Sequence, residues 1–142
     1  MNLHHQAKFT NAIAEVWPDP AGYAVLRWKA GFRPFTAFME AMNALLCQIR
    51  SLGTGKTMAI LTNMEPISQE EKHWILTHWL PRAVVQGQCR YAALVNPPEQ
   101  IDWQGEVTTR FYTSLPPDYA IFTDETAAHK WLQEQIVIQS RY

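Results

Sequence analysis

The stretch Ser51–Ile60, SLGTGKTMAI, joins two patterned segments and determines how the chain is built. It contains Gly55-Lys56-Thr57, the end of a phosphate-binding loop, but Arg50 stands where such a loop requires glycine. The stretch also leaves a predicted helix and enters a predicted strand, whereas a phosphate-binding loop leaves a strand and begins a helix. We therefore predict a helix end capped by Gly53, a turn at Gly55 and a solvated lysine, rather than a nucleotide site.

The spacing of apolar residues differs on the two sides of this stretch. Apolar side chains from Phe35 to Ile49 recur every three or four residues, which predicts a helix with one apolar face directly after Pro34. Met58–Leu61 is a continuous apolar run, typical of a strand covered on both faces. A helix that leads into a covered strand indicates a parallel sheet with helices on its faces.

The remaining segments extend this pattern in both directions. Residues 9–17 and 24–30 flank a turn rich in proline and glycine and predict a hairpin, whose second strand alternates as if one face met solvent. Ser68 with Glu71 predicts a capping box on a helix that Pro81 kinks or ends. Further elements are expected as a covered strand at 90–95, a weakly patterned helix at 99–114, a strand at 119–123 and a last helix capped by Asp124.

The order β-β-α-β-α-β-α-β-α predicts an α/β fold. We expect a single, mostly parallel sheet of about five strands, with an N-terminal antiparallel hairpin and about four flanking helices. The sequence contains no linker or repeat, so one domain is predicted over residues 1–142, with its core at about 9–133.

Composition narrows the classes of function. The 12 basic and 13 acidic residues are scattered and give a net charge of −1, which argues against a nucleic-acid or anionic-membrane partner. No apolar run is long enough to predict a membrane span. Cys47 and Cys89 lie in apolar segments and predict buried, reduced thiols in a cytoplasmic protein. Most of the six tryptophans fall on apolar faces, while Trp17 and Trp103 are candidates for a groove or partner surface.

No set of side chains has the spacing of a catalytic or metal site. His73 and His78 are five residues apart, which places them on different sides of a helix, and His129 is isolated and expected at the surface. A G-x-S-x-G nucleophile motif is absent from the sequence. We therefore predict no enzyme activity, no cofactor and no metal.

Four motifs resemble one protein family. They are WKAGF (28–32), LTNMEPISQEE (61–71), WILTHWLPRA (74–83) and FTDETAAHKWL (122–132). They are similar to segments of small bacterial STAS-like (SpoIIAA-like) proteins, relatives of the anti-sigma-factor antagonists, most of them uncharacterised. The resemblance implies the fold described above and a regulatory or protein-interaction role without catalysis.

Ser68 has two interpretations. As an N-cap, its hydroxyl satisfies a free N–H at the helix start. The resemblance implies the other, because antagonists of this family carry a phosphorylatable serine in a D-S-S-G loop after the central strand. The matching segment here, residues 63–68, has no D-S-S-G sequence, and Glu70 and Glu71 would oppose a phosphate. The cap interpretation is therefore favoured.

Ligands of open α/β sheets bind beyond the carboxyl ends of the strands. This rule predicts a ligand, partner or switch region that contains Asn63, Glu65, Ser68, Asn96 and Asp124. Our first hypothesis is a module that docks a partner protein, and the second is a binder of a small, partly apolar ligand in this crevice. An enzyme of unknown reaction ranks third, and a homodimer stays open.

Overall fold

The structure, a computed structural model, describes residues 9–96 and 117–136. Within these ranges, six strands form one sheet whose spatial order follows the chain order. The strands are Phe9–Thr10 (β1), Ala14–Pro18 (β2), Ala24–Trp28 (β3), Lys56–Ile60 (β4), Tyr91–Val95 (β5) and Asp118–Phe122 (β6). The helices are Phe35–Leu52 (α1), Gln69–Trp74 (α2), Leu80–Val85 (α3) and Glu125–Glu134 (α4), and a π-helical turn at Ile75–Trp79 joins α2 to α3.

The sheet is mixed, with its antiparallel pairs at the N-terminal side. β1 pairs with β2 and β2 with β3 in antiparallel fashion, and β3, β4, β5 and β6 then run parallel to one another. The α/β class, the single sheet and the N-terminal hairpin are therefore confirmed. The short β1 raises the number of strands to six instead of about five. The predicted helix at 99–114, together with Trp103, lies outside the described residues.

Helices cover both faces of the sheet. α1 and the helices after β4 pack on one face, over a core that includes Leu26, Phe38 and Leu80. α4 packs on the other face, where its Leu132 lies in one cluster with Met58 of β4. Each face thus receives the alternate side chains of the central strands, as the covered runs predicted.

The prediction that β3 has one solvent-facing side is wrong. Val25 lies on the face covered by α4 and is only 1% exposed. Trp17 of β2 packs in the same cluster and is buried, rather than lining a groove. The alternation of Arg27 and Lys29 with apolar residues suggested solvent, but their long apolar stems allow a half-buried position.

Pro81 does not end its helix, contrary to one of the two predicted outcomes. Proline has no N–H to donate to the carbonyl of residue 77, so regular α-helical bonding cannot continue through it. The chain accommodates this loss with the π-helical turn before Leu80 and continues as α3 to Val85. Gly87 follows, and its N–H donates to the carbonyl of Arg82, which closes the helix as predicted.

The connection between α1 and β4 has the predicted glycine geometry but an unexpected lysine. Gly53 has φ of 75° and donates its N–H to the Ile49 carbonyl, and Gly55 has φ of 74° in the turn. Lys56, expected in solvent, is only 7% exposed at the start of β4. Burial disfavours its charged form and lowers its pKa.

Two further expectations concern exposure. Cys89 is buried as predicted, but Cys47 is exposed, because it lies on the solvent side of α1 away from the buried stripe that ends at Ile49.

In the described part of the chain, no helix has the length and apolar character needed to cross a membrane.

The two glycines of the α1–β4 connection give a matched test. A methyl group at Gly55 would lie 2.5 Å from the carbonyl oxygen of Gln88, whereas one at Gly53 would meet no atom within 4 Å. Gly53→Ala should cost about 1 kcal/mol through backbone strain alone. Gly55→Ala should cost clearly more, about 2 kcal/mol or above, because the clash adds to that strain. Urea unfolding of both variants measures the difference, and equal losses would contradict the close packing at Gly55.

Candidate functional site

A groove of about 700 Å³ opens beyond the carboxyl ends of β3 and β4. This position is the strand-end crevice that the fold predicts for a ligand. One wall is the loop from β3 into α1, and the other is the segment from β4 into α2. The lining residues are Gly31, Phe32, Arg33 and Phe35 on the first wall and Glu65, Pro66, Ser68, Glu70 and Glu71 on the second.

A buried ion pair joins the two walls. The Nε atom of Arg33 donates to Oε2 of Glu71 at 2.8 Å, and its Nη2 atom donates to Oε1 at 2.6 Å. Both side chains are only 5% exposed. The guanidinium also donates to the backbone carbonyls of Glu65 at 2.9 Å and Pro66 at 3.1 Å. The bidentate contact between Arg33 and Glu71 fixes one wall of the groove relative to the other.

The carboxylate of Glu71 serves a second purpose in the capping box. Its Oε1 atom accepts the backbone N–H of Ser68 at 2.9 Å, while Ser68 Oγ accepts the backbone N–H of Glu71 at 3.0 Å. The predicted box is confirmed. Burial by itself would raise the pKa of Glu71, but the bonds from Arg33 and Ser68 and the arginine charge hold it below its usual value.

The rim of the groove is apolar and acidic. Phe32 is 86% exposed, and Pro66, which lines the same groove, is also exposed. Glu65 and Glu70 are also exposed. Neither carboxylate belongs to the two ion pairs found within residues 9–96 and 117–136.

The five predicted site residues occupy three local settings. Glu65 and Ser68 both line the groove. Asn63 is exposed in the turn after β4. Asn96 lies close to this turn, because its Nδ2 atom donates to Oγ1 of Thr62 at 3.2 Å, and Thr62 directly precedes Asn63. Asp124 caps α4 by accepting the Ala127 N–H at 3.0 Å. Only Glu65 and Ser68 are thus brought together in one cleft.

Sequence reasoning missed Arg33 and Phe32. Arg33 pairs with a residue 38 positions away, and no local pattern indicates such a partner. The signal in the sequence is weak, because it consists only of an arginine between Phe32 and Pro34. In the structure, the Arg33 guanidinium also lies 5.9 Å from the ring centroid of Trp28.

Burial favours the neutral forms of Tyr23 and Cys89, two groups outside the groove. The Tyr23 hydroxyl hydrogen bonds to Nδ1 of His129, which is half-buried rather than at the surface as predicted. Burial and then the charge of Asp19 raise the pKa of Tyr23 to about 12. Burial raises the pKa of the Cys89 thiol to about 12 as well. A tyrosine or cysteine that acts as a base or nucleophile at neutral pH needs a lowered pKa instead.

An apolar cavity under α1 is too small for a ligand of ordinary size. This cavity of about 60 Å³ lies between the sheet and the helices of one face, lined by Leu26, Phe38 and Trp79 among others. Ligand sites usually enclose about 300–1,000 Å³. In the described ranges no three His, Cys, Asp or Glu side chains are grouped to hold a metal ion.

Comparison with known proteins found no matching family model, no matching curated protein and no matching solved structure. The STAS-like resemblance therefore stays a prediction from the four motifs.

Substitutions of Arg33 and Glu71 should have non-additive effects on the free energy of unfolding. Arg33→Met leaves the Glu71 carboxylate buried without its cation and should cost about 3–5 kcal/mol of unfolding free energy. The double variant Arg33→Met/Glu71→Gln removes both charges and should recover most of that loss. Urea unfolding of the wild type, both single variants and the double variant measures the coupling. Strictly additive losses would contradict the pairing.

The lowered pKa of Glu71 predicts a defined acid sensitivity. Above its ordinary value of 4.5, the group is ionised both in the folded and in the unfolded chain, so its full contribution to stability is present. Below that value the unfolded chain binds a proton first, and the contribution falls until the folded pKa is passed. Between about pH 5 and pH 3, wild type should therefore lose more stability than Glu71→Gln. The exposed Glu70→Gln is the matched control and should follow the wild type.

Proposed function

We propose that the protein is a non-catalytic regulatory or protein-interaction module whose groove docks a partner protein. The observation that carries the proposal is the position of Phe32, 86% exposed on the rim of a cleft at the strand ends. Exposed aromatic side chains beside a cleft are the anchors from which protein interfaces are built.

The hydrogen bonds made by Arg33, Ser68 and Glu71 in the groove walls support a role without catalysis. The Arg33 guanidinium donates hydrogen bonds to the Glu71 carboxylate and to two backbone carbonyls. The Glu71 carboxylate accepts hydrogen bonds from Arg33 and from the Ser68 N–H. The Ser68 hydroxyl accepts the Glu71 N–H. A catalytic acid, base or nucleophile must instead offer a group to the substrate. These residues are engaged in holding the walls together.

The resemblance to STAS-like proteins agrees with this proposal as an analogy of motif and fold. One of its motifs, residues 61–71, supplies an entire wall of the groove. At Ser68 the capping box favours the structural interpretation over a phosphorylation switch, because the N–H groups of Ser68 and Glu71 already have acceptors.

A binder of a small, partly apolar ligand is the second candidate. The groove volume of about 700 Å³ favours it, since this lies within the usual range for ligand sites. Native mass spectrometry of the purified protein separates the candidates. A retained small molecule, displaced in the Phe32→Ser variant, would support the ligand binder over the docking module.

Substitution of Phe32 tests the docking module. Phe32→Ser changes a solvent-exposed side chain, so stability should stay within about 0.5 kcal/mol of the wild type. Loss of an aromatic anchor should weaken a stoichiometric partner by about tenfold or more. The measurement is quantitative affinity capture from the source cells. The control is Val85→Ser, which removes another exposed apolar side chain, 75% exposed on α3. Equal capture by all three proteins would refute docking at this groove.

A further inference from the structure

We propose that the groove selects a partner segment that is basic and apolar, with Lys or Arg next to an aromatic or large aliphatic residue. This inference rests on the proposed docking function and adds the chemistry of the partner. It depends on the charge that remains uncompensated at the rim and on the apolar surface beside it.

The residues that line the groove carry more negative than positive charge. Its charged residues are one cation, Arg33, and three carboxylates, Glu65, Glu70 and Glu71. Arg33 is committed to Glu71 in the buried pair. Glu65 and Glu70 are therefore left as two exposed carboxylates, one from each end of the same wall. The whole chain has a net charge of only −1, so this rim is locally more acidic than the protein average.

The apolar part of the rim lies beside these carboxylates. Phe32 is nearly fully exposed, Pro66 is exposed, and Phe35 is half-buried in the lining. An aromatic face accepts a cation as well as an apolar side chain. A segment that combines both properties can therefore use the acidic and the aromatic parts of the rim at once.

The same features disfavour an acidic occupant. A phosphate or a carboxylate would meet Glu65 and Glu70 at the rim. The N–H groups of Ser68 and Glu71, which could otherwise bind an anion, are occupied by the capping box. The cation of the groove, Arg33, is paired with Glu71 and buried beneath the surface. Charge complementarity thus favours a positively charged partner segment.

Selection from a random peptide library on phage tests this inference without a known partner. The full-length wild-type protein is the target, and sequences that also bind Phe32→Ser are removed. We expect the remaining sequences to be enriched in Lys or Arg together with aromatic or aliphatic residues. Enrichment of neutral or acidic sequences would overturn the inference and leave docking at Phe32 intact. If no sequence depends on Phe32, both the inference and the proposed function fail.

A synthetic peptide from this selection then tests the carboxylates directly. Glu65→Gln/Glu70→Gln should weaken its binding by about tenfold at low salt, and the difference should shrink at about 0.5 M salt, where exposed charges are screened. The control is Glu40→Gln, an exposed carboxylate of α1 outside the groove. Equal binding by the double variant and the wild type would overturn the inference while leaving the Phe32 dependence unchanged.

Discussion

The buried pair of Arg33 and Glu71 is the interaction on which the strand-end region depends. It connects the loop after β3 to the first turn of α2, two segments that no backbone ladder joins. Removing both charges from water is costly, and the bidentate geometry and the added backbone bonds offset that cost. The groove walls are thereby held in place before any partner arrives, so less conformational freedom is lost on binding.

Much of the fold follows from local signals in the sequence. The glycines at 53 and 55 fixed the direction of the chain from helix to strand, and both have the left-handed φ that a helix end and a tight turn require. Ser68 and Asp124 marked two helix starts, and each side chain accepts a backbone N–H of the first turn. These signals succeed because cause and effect lie within four residues of each other.

The features that sequence did not predict depend on contacts between distant segments. Lys56 is only 7% exposed, and its partner in the parallel ladder is Tyr91 of the next strand, β5. The second face of β3 is covered by α4, which begins about a hundred residues later. In the candidate site, Glu65 and Ser68 were predicted from their position after β4. The arginine across from them was not, because its pairing is visible only once β3 and β4 are adjacent.

The strand order of the sheet has a consequence for how the protein folds. Every strand from β1 to β6 pairs with the next strand along the chain, so no pairing has to wait for a remote segment. Folding rates fall as contacting residues become more distant in sequence, and this layout keeps those distances close to the minimum that parallel pairing allows.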